Sequence, residues 1–397
     1  MMWFIAWLTL WTVVSLPATF DAADNPADDP APDSGGWTLY AAPAFGAAVI
    51  ADIAADAPVT VNGRADVGYW LDVSAGGRDG WAYLNDLPAP DAFALDALPV
   101  TGQQITMLDT AAFPLDDADD DLLAALDELA RTPVLHNFDS PRLAQIIAEG
   151  DERGNRRGLF IKIGDSNSTT GDYLRPMGMR HGGCQYGAFD YLRETVAYFS
   201  AESPYPEFRN SFDSTNITAQ NGLNTFGLFD PFWADSEACR GGESPLECEY
   251  RLLQPSVAVT MIGLMDLEQI PVETYRRNLD RAVAWLVDHG VIPVLMTFPV
   301  LPDYPEAGAR SLWPKSIMLN AAIIDIAEDH QVPLINLWAA FQPLPDYGIG
   351  PDRTHIRHQV GAFCDFTGAE ARVGGTLRNL LILQGLDRLR VDWLAIP

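Results

Sequence analysis

The sequence predicts an α/β protein: a doubly wound parallel sheet over residues 134–397, preceded by a small all-β barrel over residues 37–90. Three observations carry this reading. Past residue 134, short apolar runs rich in β-branched residues alternate with stretches of helical periodicity. Between Trp37 and Leu87, short apolar stretches alternate instead with Gly, Asn and Asp turns. The chain has 397 residues and 48% hydrophobic content, enough to bury a large core.

The opening run MMWFIAWLTLWTVVSL is apolar over about sixteen residues, short for a spanning helix and suited to the core of an export signal. Residues 1–20 are therefore read as an export signal. An uncleaved N-terminal anchor is the alternative, because no Lys or Arg precedes the run and no clean A-x-A site follows, Ala18 and Ala22 being the candidate ends. Residues 21–36, DAADNPADDPAPDSGG, read as an acidic, Pro-rich linker.

Four cysteines suit an exported chain. Cys239 and Cys248 bracket the polar loop RGGESPLE and are expected to close a small ring. Cys184 and Cys364 are left open between a long-range pair and two buried thiols. No CxxC or His/Cys cluster suggests a metal. The net charge is −29, and only Lys162 and Lys315 supply lysines. Such a surface repels phosphate backbones and anionic headgroups, which excludes nucleic acid as a partner.

Within residues 37–90, the opening YAAPAF, the strand and turn VTVNGR, and the late pair GYWLDV and GRDGWAYL resemble a bacterial SH3-like domain. The resemblance implies a hold on cell-wall peptide or polysaccharide, with Trp70, Trp81 and Tyr83 as contacts; the plain alternative makes these aromatics the barrel's core. Residues 91–133 read as a linker with one helix, since the acids of DDADDDLLAALDELARTP precede an apolar pattern through Leu122, Leu123, Leu126 and Leu129.

In the last region LFIKI (159–163), VAVTMI (257–262), VIPVLMT (291–297) and VPLINL (332–337) read as buried parallel strands. The segment VETYRRNLDRAVAWLVDHG sets Tyr275, Leu279, Val283, Leu286 and Val287 on one helical face and stops at Gly290. SIMLNAAIIDIAEDH and GGTLRNLLILQGLDRL read as two more helices. In such a sheet the working site lies beyond the carboxyl ends of the strands.

Ser166, in KIGDSNS, stands where the first of those strands ends and a helix begins. A serine there can expose its hydroxyl and point its N–H at an oxyanion, although serine also caps helices for structural reasons alone. A serine nucleophile needs a base. His289 and His330 fall at helix ends on the opposite sheet edge, and His136 and His181 offer less. His355, in GPDRTHIRH, follows the last strand with Asp352 three residues before it, so one loop carries a base and the carboxylate that orients it. His358 is the rival base.

At these residues the chain resembles the SGNH/GDSL hydrolases. GDSNS is similar to the family's first block and DRTH to its last, which implies a flavodoxin-like sheet and a triad of Ser166, His355 and Asp352. SFDSTNITAQNG is similar to the second block, and the resemblance makes Gly222 an oxyanion donor beside Ser166. The third block, G-x-N-D, departs from the pattern: in MIGLMDL, Met265 stands where the family has an asparagine donor, and methionine cannot donate. Asn216, Asn221 and Asn224 are the candidate substitutes, and Asp266 is read as structural.

The resemblance implies a serine esterase with no cofactor, and the apolar opening run its export. Its expected substrates are acyl groups on an extracellular or wall glycan, or a lipid. The alternative is a weakened hydrolase domain that binds wall polymer together with the SH3-like module.

Overall fold

The computed structural model describes residues 36–179, 183–305 and 310–395. The expected export signal and nearly all of the linker after it lie outside the described residues, as does His181.

Six strands form the first sheet: β1 (Gly36–Tyr40), β2 (Val49–Ala54), β3 (Val59–Ala65), β4 (Trp70–Ala75), β5 (Arg78–Tyr83) and β6 (Val100–Gly102), in the order β2-β1-β5-β4-β3-β6. The β4–β5 hairpin closes through Gly76 and Gly77, both at positive φ (59° and 74°), the two-residue turn whose twist matches the strands. β6 pairs parallel with β3 and extends this sheet beyond residue 90. Trp70 is fully buried, edge-on to Tyr40 and Tyr83 at 5.4 and 5.8 Å, so Trp70 and Tyr83 are core residues rather than surface contacts. Trp81 is half-buried.

The second sheet has the order β7-β11-β10-β9-β8, from β7 (Leu135–His136), β8 (Arg156–Gly164), β9 (Pro255–Met261), β10 (Ile292–Met296) and β11 (Leu334–Ile335). β8 to β11 run parallel, and β7 adds a two-residue antiparallel edge that makes the sheet mixed rather than wholly parallel. Every residue of β9 and β10 is buried, which requires cover on both faces.

That cover comes from helices: α1 (Asp120–Arg131), α2 (Arg142–Arg153), α3 (Arg175–Gly178), α4 (Leu192–Phe199), α5 (Pro245–Leu253), α6 (Leu264–Gln269), α7 (Val272–Asp288), α8 (Trp313–His330), α9 (Leu337–Phe341) and α10 (Gly374–Leu389). α7 packs on α8 with its apolar stripe inward, and α10 packs on α4. α1 is more than a tether: it packs on α8, and Asn336 Nδ2 donates to the Leu129 and Thr132 carbonyls at its end.

The two sheets belong to one compact unit. Tyr83 donates from its hydroxyl to buried Glu370 at 2.7 Å, and Arg388 on α10 donates to the Asp66 carbonyl at 2.8 Å. Cys239–Cys248 is a disulfide as expected, and Cys184–Cys364 is also one, so the open pairing resolves to a long-range bridge. No helix among the described residues is long and apolar enough to cross a membrane.

Candidate active site

β8 delivers Ser166 to the carboxyl edge of the second sheet, where the chain turns at once into a short 3-10 helix, Ser166–Ser168. Asp165 caps this turn, accepting from the Asn167 N–H at 3.0 Å. The third strand, β10, and β11 end on the same edge, and the loop after α9 brings Asp352 and His355 back over it.

His355 Nε2 lies 2.8 Å from Ser166 Oγ. On the other side of the ring, His355 Nδ1 lies 2.6 Å from Asp352 Oδ2. The remaining Asp352 oxygen accepts from the Thr354 and His355 N–H groups at 3.1 and 3.0 Å. Burial pushes the Asp352 carboxyl up, but the His355 N–H and imidazole and the Thr354 N–H outweigh it and hold it below its ordinary value. An ionised carboxylate on Nδ1 fixes the tautomer that leaves Nε2 free to take a proton from the serine.

The rival base is directed elsewhere. His358 Nδ1 lies 3.2 Å from Asp172 Oδ2 in an ion pair, and it is His355 that reaches the Ser166 hydroxyl. Burial works against the Asp172 charge, yet His358 and Arg378 outweigh it and bring the carboxyl down to about 2. His289 Nδ1 donates to the Trp285 carbonyl at 2.7 Å and the ring stacks on the indole, and His330 pairs with Asp280, both as helix-end contacts. His136 sits 3.6 Å from Glu328.

The chain segment of Gly222 runs alongside the end of β8: the Gly164 N–H donates to the Thr218 carbonyl, and the Gln220 N–H donates to the Gly164 carbonyl at 3.1 Å. Gly222 follows at φ 82°, a left-handed conformation that an L side chain resists. Asp266 is buried and accepts from the Thr225 N–H at 3.1 Å, tying this loop to α6. Burial raises its pKa despite those donors. Met265 sits half-buried on the first turn of α6, with a thioether where a donor is expected.

Several residues that sequence reasoning passed over hold the site together. Asn167 is buried and accepts from the Ile356 N–H at 2.9 Å, coupling the serine turn to the histidine loop. Arg378, fully inside α10, donates to the Asn167 carbonyl at 2.8 Å and stacks over Tyr173. Asn379 donates to the Asp172 carbonyl and accepts from the Leu174 N–H. The signal was present: an Arg-Asn pair inside the apolar run LRNLLILQG demands buried partners.

No family model and no curated protein matches the chain. Among solved structures it is similar over 57% of its length to a lipase/acylhydrolase from Enterococcus faecalis, at 18% identity and a TM-score of 0.33, covering 93% of that chain. It is likewise similar over 57% of its length to a catalytic mutant of an acetylxylan esterase from Geobacillus stearothermophilus, at 19% identity and a TM-score of 0.34, covering 93% of that chain.

Proposed function

We propose that the protein is an exported serine esterase of SGNH/GDSL type, with Ser166 as nucleophile, His355 as base and Asp352 as its orienting carboxylate. The observation that carries this reading is the unbroken relay Asp352 Oδ2, His355 Nδ1, His355 Nε2, Ser166 Oγ, with contacts of 2.6 and 2.8 Å. The Ser166 oxygen bonds to the ester carbonyl carbon as its proton passes to His355 Nε2, and the carbonyl electron pair moves onto oxygen. Collapse of that oxyanion breaks the bond to the alcohol, which takes the proton from His355. Water, deprotonated by the same imidazole, then attacks the acyl-serine and frees the acid and Ser166. The N–H groups of Ser166 and Gly222 serve the oxyanion. The chemistry calls for no cofactor or metal.

Two disulfides support an oxidising compartment and hence export. The resemblance of the sequence of residues 37–90 to an SH3-like domain favours acyl groups on an extracellular or wall glycan over a lipid. Met265 supports a second reading, a wall-binding protein whose hydrolase domain has lost its activity. Intact-mass labelling with a fluorophosphonate separates them: a single adduct is expected on the wild type and none on Ser166→Ala, with strong slowing in His355→Ala. An unlabelled wild type after hours at neutral pH sinks the esterase reading and leaves the binding one.

A further inference from the structure

Resting on the esterase reading, we propose that Asn221 supplies the oxyanion donor that Met265 cannot, its side-chain amide Nδ2 standing with the N–H groups of Ser166 and Gly222 around the ester carbonyl oxygen.

The other two candidate amides of the second block are spent. Asn216 is buried, its Nδ2 donating to Glu249 at 2.6 Å and its Oδ1 accepting from the Lys162 N–H at 3.2 Å. Asn224 donates to Gln269 at 2.7 Å and accepts from the Gly227 N–H at 2.9 Å. Asn167 belongs to the serine turn itself but is buried, its Oδ1 accepting from the Ile356 N–H of the histidine loop at 2.9 Å.

Asn221 is placed differently. It is exposed, it directly precedes Gly222, and among the described residues its Nδ2 donates to none. Its Oδ1 is engaged: Thr169 Oγ1 donates to it at 2.6 Å. Thr169 belongs to the turn that Ser166 opens, and the same hydroxyl lies 3.0 Å from the Ser166 carbonyl oxygen. A hydroxyl has one proton, and the shorter contact takes it. The carbonyl end of the amide is thus pinned to the serine turn while the donor end is left for substrate. An oriented donor that needs no rearrangement when charge develops is what oxyanion stabilisation requires.

The test uses the full chain with p-nitrophenyl acetate and five forms: wild type, Asn221→Ala, Asn221→Asp, Met265→Asn and the double variant Asn221→Ala/Met265→Asn. Asn221→Ala is expected to lower kcat by about a hundredfold or more, with KM within about threefold, as for loss of a transition-state donor. Asn221→Asp keeps the size and the oxygen for Thr169 but removes the donor, so it falls at least as far even if the alanine variant is poorly folded. The double variant recovers most of the loss, because an asparagine at 265 restores a donor from the other side. Asn221→Ala within about threefold of wild type overturns the inference, and so does a double variant that stays as slow as Asn221→Ala. A wild type that neither hydrolyses the ester nor takes the fluorophosphonate overturns the esterase reading and this inference with it; an active wild type with unchanged Asn221 variants overturns this inference alone.

Discussion

At the residue scale, Asp352 and His358 sit in one loop as a carboxylate and an imidazole, and only their partners assign them different work. Asp352 holds His355 Nδ1 at 2.6 Å, so replacing it with Asn offers that nitrogen an amide that supports the wrong tautomer. Asp352→Asn is expected to lower kcat for a simple acetyl ester by about ten thousandfold with the fold intact. His358 is occupied by Asp172 instead, so His358→Gln is expected to stay within about tenfold of wild type. A steady-state comparison of the two variants checks both, and a collapse of activity in His358→Gln with a mild Asp352→Asn would assign the base and its carboxylate to His358 and Asp172 instead.

At the element scale, α10 is the beam to which the site is fastened: Arg378 grips the serine turn, Asn379 grips residue 172, and Asp172 pairs with His358 in the histidine loop. The pH dependence of this clamp follows from the two shifts. Asp172 falls from 3.8 to about 2 on folding, so its contribution is present above about pH 4 and is lost as pH drops toward 2. His358 is raised above 6.5, chiefly by its bond to Asp172, so its contribution is present below that value and fades as pH rises through the raised one. The stability gap between wild type and Asp172→Asn is therefore expected to peak between about pH 4 and 6.5, on the order of 2 kcal/mol, and to shrink on both sides. Thermal melts across that range measure it, and a gap independent of pH would show that packing rather than charge holds the loop. The long elements around this clamp were legible because burial writes itself as periodicity: LFIKI and VAVTMI fall inside β8 and β9, and the stripe through Tyr275 and Leu286 faces inward on α7. The candidate triad was legible because Ser166 ends a strand and Asp352 and His355 share a short loop. What was not legible is what depends on distant partners. The two-residue β7, the pairing of Cys184 with Cys364, and the grip of Arg378 on residue 167 leave no periodic trace.

At the scale of the whole molecule, the two sheets share polar bonds, and the chain as a whole carries a net charge of −29. Tyr83 and Asn85 both reach Glu370, a carboxylate inside the protein whose pKa burial raises, so the junction is built from groups that need one another. The charge acts at longer range. With 54 acids against 25 bases, self-repulsion destabilises the compact state, and it is screened within about 8 Å at physiological ionic strength. The melting temperature is therefore expected to rise between 10 mM and 0.5 M sodium chloride. The same field reaches an approaching substrate. At low salt kcat/KM for a cationic acetyl ester is expected to exceed that for an anionic ester of equal size, and the two should converge as salt is added, because screening removes attraction and repulsion alike. A preference unaffected by salt would mean that contacts inside the site, rather than the acidic surface, choose the substrate.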